Sequence, residues 1–219
     1  MSYVAHADLG GQLGHGAVQP EPEGQPFHAA WESRALALVL AMGATGSWNI
    51  DASRAARETL PAYACLSYFQ IWLAALEKLM CERGQVFDDE LTQGRMLHPP
   101  APVARVLPAA DVLAALAKGS PTQRPDVQPA LFHPGQRVRT RSGAVPHHTR
   151  LPGYVRGKCG TVERLHGNHV LADTHAHGLG EQPEPLYTVV FEGEEVWGAE
   201  AVPGLRVSVD AWQSYLEAA

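Results

Sequence analysis

Cysteine is scarce in this 219-residue chain, which has only Cys65, Cys81 and Cys159. An odd, widely spaced trio offers neither a disulfide framework nor a thiolate metal cage, and it fits a reducing compartment. Long apolar runs are missing as well. No stretch reaches the ~18 residues that a membrane span needs, and the opening "MSYVAHADLGGQLGHG" has neither a basic n-region nor an apolar h-region. The expectation is a cytoplasmic, unprocessed protein. Charged residues make up 18% and the net charge is −6, which argues against general affinity for nucleic acid or membrane. No G-x-S-x-G elbow is present, so a Ser/His/Asp triad lacks the turn that would expose its nucleophile. What remains is a globular composition, 45% hydrophobic, in a chain able to bury one large core or two small ones.

The first 26 residues are rich in Gly and Pro and carry no period, which predicts an extended arm (1–26) that a partner could order. A helical module (27–97) follows. Phe27, Trp31, Leu38 and Met42 recur at helical spacing, with Gly43 and Gly46 at the exit. "DASRAARETL" reads as a second helix capped by Asp51. "SYFQIWLAALEKLMCERG" opens on the capping-box pair Ser67 and Gln70, gathers Trp72, Leu73, Leu76, Leu79 and Met80 on one face, and closes at Gly84. A proline-rich connection (98–130) embeds one short helix near "PAADVLAALAKG". From residue 131 the period becomes two. "QRVRTR", "CGTVERLH", "NHVLAD", "PLYTVVF", "EEVWG" and "LRVSVD" predict a small antiparallel barrel (131–219), finished by a turn of helix in "AWQSYLEAA". The fold class expected is α+β, arm and helices first and barrel last.

Four histidines, His166, His169, His175 and His177, fall within twelve residues. On one strand His175 and His177 would share a face, and with His166 they could offer three nitrogens to zinc. No H-E-x-x-H helix supports this, and polar barrel loops commonly carry such residues, so no metal ligand is assigned. The basic residues say more. Between His133 and Val170 stand seven arginines and lysines, namely Arg137, Arg139, Arg141, Arg150, Arg156, Lys158 and Arg164, against one acid, Glu163. The pattern "HPGQRVRTRSG…RGKCGTVERLHG" resembles the KOW segment of SH3-like barrels, which gives an alternative function as a nucleic-acid binding module. Against it, Tyr187, Trp197, Trp212 and Tyr215 read as barrel core and not as a stacking row. Arginine also suits a precise anionic target, because its planar fork donates two parallel hydrogen bonds. Arg54, in a helix whose neighbours Ile50, Tyr68 and Trp72 are apolar or aromatic, and Arg150, beside a Leu-Pro turn, are the candidates. The chain holds no evident anion for them, which points to another subunit.

The pieces "HADLGGQLGHG", "FHAAWESRALALVLAMG", "WNIDASRAARETLP", "SYFQIWL", "HHTRLPGYVRGKCGTV", "DTHAHGLGEQPEPLYTVVF", "EVWG" and "VDAWQSYLE", in that order, resemble the beta subunit of nitrile hydratase along nearly the whole chain. The resemblance implies an αβ or α2β2 heteromer that hydrates nitriles to amides at the subunit interface, without nucleic acid or membrane. It implies a low-spin Fe(III) or Co(III) held by the alpha subunit, none being bound by this chain alone. Arg54 and Arg150 match the family arginines that bond the alpha subunit's oxidised cysteines. Val39, Ile50, Tyr68 and Trp72 match substrate-pocket positions, and Glu58 and His148 match outer-shell ones. The separate polypeptides of thiocyanate hydrolase and the mainly helical activator proteins fit less well a chain that joins helices to a full barrel.

Overall fold

The computed structural model describes residues 3–12 and 14–219. Met1, Ser2 and Leu13 of the expected arm lie outside them. One unit comprises Val4–Gly119, and Tyr3 with Ser120–Ala219 makes up the other.

Among the described residues of the arm there is no helix or strand, and the amide of His6 donates to the Glu58 carbonyl at 2.7 Å. The first helix, α1, is Glu32–Ala44 and begins later than Phe27. The buried Glu32 carboxylate accepts the amides of His28 and Ala29, so the residues before it form turns. Only Glu32 and Ala35 of α1 are buried, while Phe27, Trp31 and Leu38 are exposed. The apolar residues that recur at helical spacing are therefore largely surface. Gly43 lies inside α1, and the exit falls instead at Thr45 and at Gly46, whose φ is +80°.

Asn49, not Asp51, caps α2 (Ile50–Glu58), its Oδ1 accepting the Ala52 amide at 2.8 Å. Asp51 sits buried inside the first turn. Asn49→Ala should cost about 1 kcal/mol, to be read as a lower thermal midpoint; an unchanged midpoint would deny the cap its role. After it, α3 (Tyr68–Glu82) starts as expected, with Gln70 Oε1 accepting the Ser67 amide at 2.8 Å. It buries Phe69, Ala75, Leu76 and Leu79. Ala56, Ala75 and Leu79 form the small core between α2 and α3, flanked by Trp48 and Leu60. Gly84, at φ +62°, ends α3 in the left-handed conformation that glycine adopts without a Cβ clash.

Two short helices complete this unit. The first, α4 (Asp88–Gln93), has no counterpart in the apolar pattern, because its stability is polar. Glu90 accepts the amides of Phe87, Leu97 and His98, and the bonds from Leu97 and His98 hold its carboxyl below the usual carboxylate range. The other, α5 (Val112–Lys118), lies in the proline-rich connection with Leu113 and Leu116 exposed.

The second unit runs β1 (Gln123–Arg124), β2 (Arg137–Thr140), β3 (Cys159–His169), α6 (Ala172–Ala176), β4 (Glu184–Glu192), α7 (Gly193–Trp197), β5 (Arg206–Trp212) and β6 (Leu216–Ala218). Every pairing is antiparallel, in the order β5-β4-β3-β2-β6 with β1 also on β3. Among the described residues no pairing joins β5 to β6, so the sheet is open where a closed barrel was expected. Its core gathers Val138, Val155, Val162, Tyr187, Val189, Phe191, Ala211, Tyr215 and Leu216. Alternation works well here: in β2, Val138 and Thr140 are buried while Arg137 and Arg139 are exposed.

Three expectations fail locally. "EEVWG" is mostly α7, because the chain must reverse between β4 and β5, and Gly198 at φ +72° then ends the helix. The exposed Trp197 stacks on Tyr154 at 5.9 Å and does not join the core. The end of the chain is not a helix: β5 extends through Trp212, a 3-10 turn spans Gln213–Tyr215, and β6 pairs with β2. Burying Tyr215 and Leu216 against the sheet outweighs the weak helical pattern of "AWQSYLEAA". None of the helices described is long and apolar enough to cross a membrane.

Candidate functional site

In the helical unit, α2 presents two unlike faces. Asp51, Ala52, Ser53 and Ala56 are buried, whereas Ile50, Arg54 and Glu58, four residues apart, share the other side. Ile50 and Arg54 are exposed and Glu58 is half-buried. Asp51 is what fixes Arg54: its buried carboxylate lies 3.1 Å from Arg54 Nη1. A charge-assisted bond from a buried anchor limits the rotamers of a long, otherwise mobile side chain.

In the same unit, α3 carries an aromatic cluster. Tyr68, 64% exposed at the start of α3, packs against Trp72 with ring centroids 5.4 Å apart. Phe69 contacts both, and Phe27 contacts Phe69. Val39, on α1, is half-buried. The structure thus brings Tyr68 and Trp72 together directly, while Val39 and Ile50 are placed on separate helices.

Arg57 was not singled out from the sequence. Its guanidinium lies 4.7 Å from the Trp72 ring centroid and is tied back to Ser53, Nε to the carbonyl at 3.1 Å and Nη2 to the hydroxyl at 3.0 Å. Burial, then the neighbouring Arg54, pulls its pKa down from the ordinary arginine value. The spacing Arg54-x-x-Arg57 was the available signal. Only the fold of α2 against α3 reveals that the second arginine covers the indole face.

In the sheet unit, residues 147–151 form a short segment in which burial alternates abruptly. His148, Thr149 and Leu151 are buried, and Arg150 between them is exposed. The Arg150 amide donates to the Tyr215 hydroxyl at 3.0 Å. On the far side, Arg156 Nε and Nη2 donate to the Leu151 carbonyl at 3.3 and 3.1 Å. Arg156 thus braces the turn, and Lys158 donates its amide to the Val155 carbonyl as the chain enters β3.

Behind Arg150 the polar contacts continue inward. The Tyr215 hydroxyl donates to the buried Asp173 carboxylate, and His147 Nδ1 lies 3.6 Å from the second oxygen of Asp173. His148 Nδ1 is 3.0 Å from the Tyr3 hydroxyl, and the His148 amide donates to His177 Nε2 at 3.2 Å. Burial pushes the Asp173 carboxyl above the ordinary carboxylate range, against the opposing pull of Tyr215 and His147. The native state therefore binds that proton more tightly than the unfolded chain does. Its contribution to stability is complete below the unfolded pKa of ~3.9 and is lost as pH rises through the higher native value. Asp173→Asn keeps an oxygen to accept from Tyr215 and escapes this loss. Its thermal midpoint relative to the parent should therefore rise between pH 4 and pH 7; a difference independent of pH would refute the assignment.

The histidine constellation separates. His166 and His169 belong to β3, His175 to α6, and His177 follows α6. His166 Nε2 lies 2.7 Å from the Thr188 hydroxyl and His169 Nδ1 3.0 Å from that of Thr122. Among the described residues there is no group of three or more His, Cys, Asp or Glu placed to hold a metal ion. The single strand imagined for His175 and His177 does not form, because the chain turns into α6 after Leu171.

The fold is that of an α+β chain with an exposed arginine in each unit, Arg54 on α2 and Arg150 in the 147–151 segment, and an exposed Tyr68 in the aromatic cluster of the helical unit. The chain belongs to the nitrile hydratase beta subunit family. The family description "Nitrile hydratase beta subunit, N-terminal" matches residues 3–114, and "Nitrile hydratase beta subunit, C-terminal" matches 121–218. The low-molecular weight cobalt-containing nitrile hydratase subunit beta of Rhodococcus rhodochrous is 38% identical over 218 residues, covering 95% of this chain and 96% of that one. The cobalt-containing nitrile hydratase subunit beta of Pseudonocardia thermophila is 33% identical, covering 96% and 94%. Thiocyanate hydrolase subunit alpha of Thiobacillus thioparus is 35% identical over 66 residues, covering 30% of this chain and 52% of that one. Among solved structures, the recombinant apo-enzyme of thiocyanate hydrolase from Thiobacillus thioparus is similar at a TM-score of 0.41 and 27% identity, covering 44% of this chain and 82% of that chain. The nucleic-acid reading of the basic strand gains no support from these relatives.

Proposed function

We propose that this chain is the beta half of a cytoplasmic nitrile hydratase, a hydro-lyase that adds water across a nitrile to give an amide, and that it acts only with an alpha subunit as αβ or α2β2. The observation that carries the reading is the family correspondence over both units, 3–114 and 121–218. The donor chemistry agrees with it. Arg54 and Arg150 are both exposed, the Arg54 guanidinium tied to Asp51 and the Arg150 main chain held by the Tyr215 hydroxyl, and guanidinium forks suit the oxygens of a partner's oxidised cysteines. An Fe(III) or Co(III) on the alpha subunit would supply Lewis acidity or an activated oxygen nucleophile.

The rest is done by residues of this chain. Arg54 and Arg150 each hold an oxidised sulfur of the partner at a fixed protonation state and orientation. Tyr68 offers a hydroxyl, and Trp72, Ile50 and Val39 offer apolar wall, to the nitrile. Glu58, in the helical unit, and His148, in the sheet unit, serve as outer-shell groups. The exposed stripe of Phe27, Trp31 and Leu38, with the arm of residues 1–26, covers the alpha subunit. The open sheet is read as an SH3-like barrel, since β5 passes through a single 3-10 turn into β6 at the opposite end of the strand order.

Purified alone, the chain should hydrate no nitrile, and adding the alpha subunit should restore amide formation. Equal turnover by the lone chain, or no turnover by the reconstituted pair, would defeat the proposal.

A further inference from the structure

A tyrosine that serves only as core needs no hydroxyl, and phenylalanine would fill the same space. Tyr215 is 6% exposed, inside the apolar cluster of the sheet unit with Phe132, Val155 and Leu151. Its hydroxyl nevertheless draws polar groups in after it. It accepts the Arg150 amide and donates to the Asp173 carboxylate, and the Thr149 side chain is bonded to it as well. Burying a phenol and a carboxylate together costs free energy that apolar side chains would not. No strand pairing uses either side chain. The segment they hold is the one that carries Arg150.

We propose that Tyr215 and Asp173 are positioning residues for Arg150, fixing the main chain of the 148–151 segment so that the guanidinium is presented at one height and direction. This rests on the reading of Arg150 as a functional donor.

The geometry supports the assignment from both sides of the segment. The Tyr215 hydroxyl pins the chain at the Arg150 amide, and the Arg156 fork pins it at the Leu151 carbonyl. His148, Thr149 and Leu151 are buried, so the backbone cannot roll without unburying them, and Arg150 alone points outward. Burial and the adjacent Asp173 push the Tyr215 phenol far above its ordinary value. The hydroxyl stays protonated and can donate to the carboxylate while its oxygen accepts the Arg150 N–H. A donor needed at a fixed place gains most from such prior ordering, since a shift of about 1 Å can cost as much as 10²-fold in rate.

The test uses the assembled alpha/beta enzyme. Tyr215→Phe should lower kcat about tenfold with little change in KM, and amide hydrogen exchange at Arg150 should accelerate. In an Arg150→Lys background the same substitution should lower kcat no further, because the group it positions is already gone. Asp173→Ala should behave like Tyr215→Phe while leaving the ring in the core, which keeps the test open if Tyr215→Phe does not assemble. Asp173→Asn, retaining an acceptor oxygen, should keep most of kcat. Equal losses of kcat from Tyr215→Phe in both backgrounds, or unchanged exchange at Arg150, would overturn the proposal and leave the hydroxyl a stabilising group only. Full activity in Arg150→Lys would instead remove the Arg150 reading itself, and is recognised from that single variant.

Discussion

Arg150→Lys in the assembled enzyme should lower kcat for nitrile hydration by about 10²- to 10³-fold, the range for losing a preorganised charge-stabilising donor. Lysine keeps the positive charge, so the expected loss comes from geometry. A guanidinium gives two parallel N–H donors in a plane, and an ammonium gives one strongly hydrated point charge. The backbone at residue 150 is held by Tyr215 and braced at Leu151, so a shorter, differently shaped head cannot recover the contact by moving the chain. Arg54→Lys should show a loss of the same order. There the buried Asp51 anchor remains, and the substituted ammonium is drawn to it instead of to the partner. Metal content of both variants, measured by elemental analysis, should match the parent. Parent-like kcat in both would sink the role assigned to the two arginines.

The second large effect concerns stability. Gly160 lies in β3 opposite Val138 of β2. A Cβ there would stand 2.6 Å from Val189 Cγ1, 2.8 Å from the Val190 carbonyl oxygen and 3.0 Å from Phe191 Cδ1. Two of these obstacles are core side chains and the third is backbone of the neighbouring strand, so none can swing aside cheaply. Gly160→Ala should therefore destabilise the chain by about 3 kcal/mol, at the upper end of overpacking costs. For a chain of this size that corresponds to a thermal midpoint lower by roughly 6–12 °C. Gly43→Ala makes the contrast. Gly43 is helical, with nothing within 4 Å of its added Cβ, and should gain about 0.5–1 kcal/mol. Similar midpoints for the two variants would mean that the close approach at Gly160 is not limiting.

These glycines also explain a sequence signature that had suggested nucleic-acid binding. In "GKCGTV", Gly157 takes φ +72° with Ser142 close by, Gly160 admits the neighbouring strand, and Val162 is buried. The motif encodes a strand entry in a twisted sheet. Its basic companions Arg137 and Arg139 occupy the exposed alternate positions of β2, as β alternation requires. The likeness to the KOW segment is thus accounted for by local strand and turn geometry, without a ligand.

Much was decided by the sequence itself. Period two and period 3.6 separated a helical first half from a sheet-forming second half, because burial on one side of a strand or helix imposes those spacings directly. The capping pair Ser67 and Gln70, the stop at Gly84 and the alternation of β2 are short-range matters that neighbouring residues settle. Arg54 and Arg150 stand out as candidates because their chemistry is distinctive and their surroundings in the chain are apolar or rigid. What only the tertiary structure decided depended on residues distant in sequence. Trp31 and Leu38 have the right period for a core yet lie exposed, since periodicity marks an apolar face without saying what covers it. Asp51 looked like a cap and instead anchors Arg54, because Asn49 occupies the capping position first. Tyr215 meets Arg150 and Asp173 across separations of 65 and 42 residues, and no local pattern encodes a contact that forms only when β6 closes against β2.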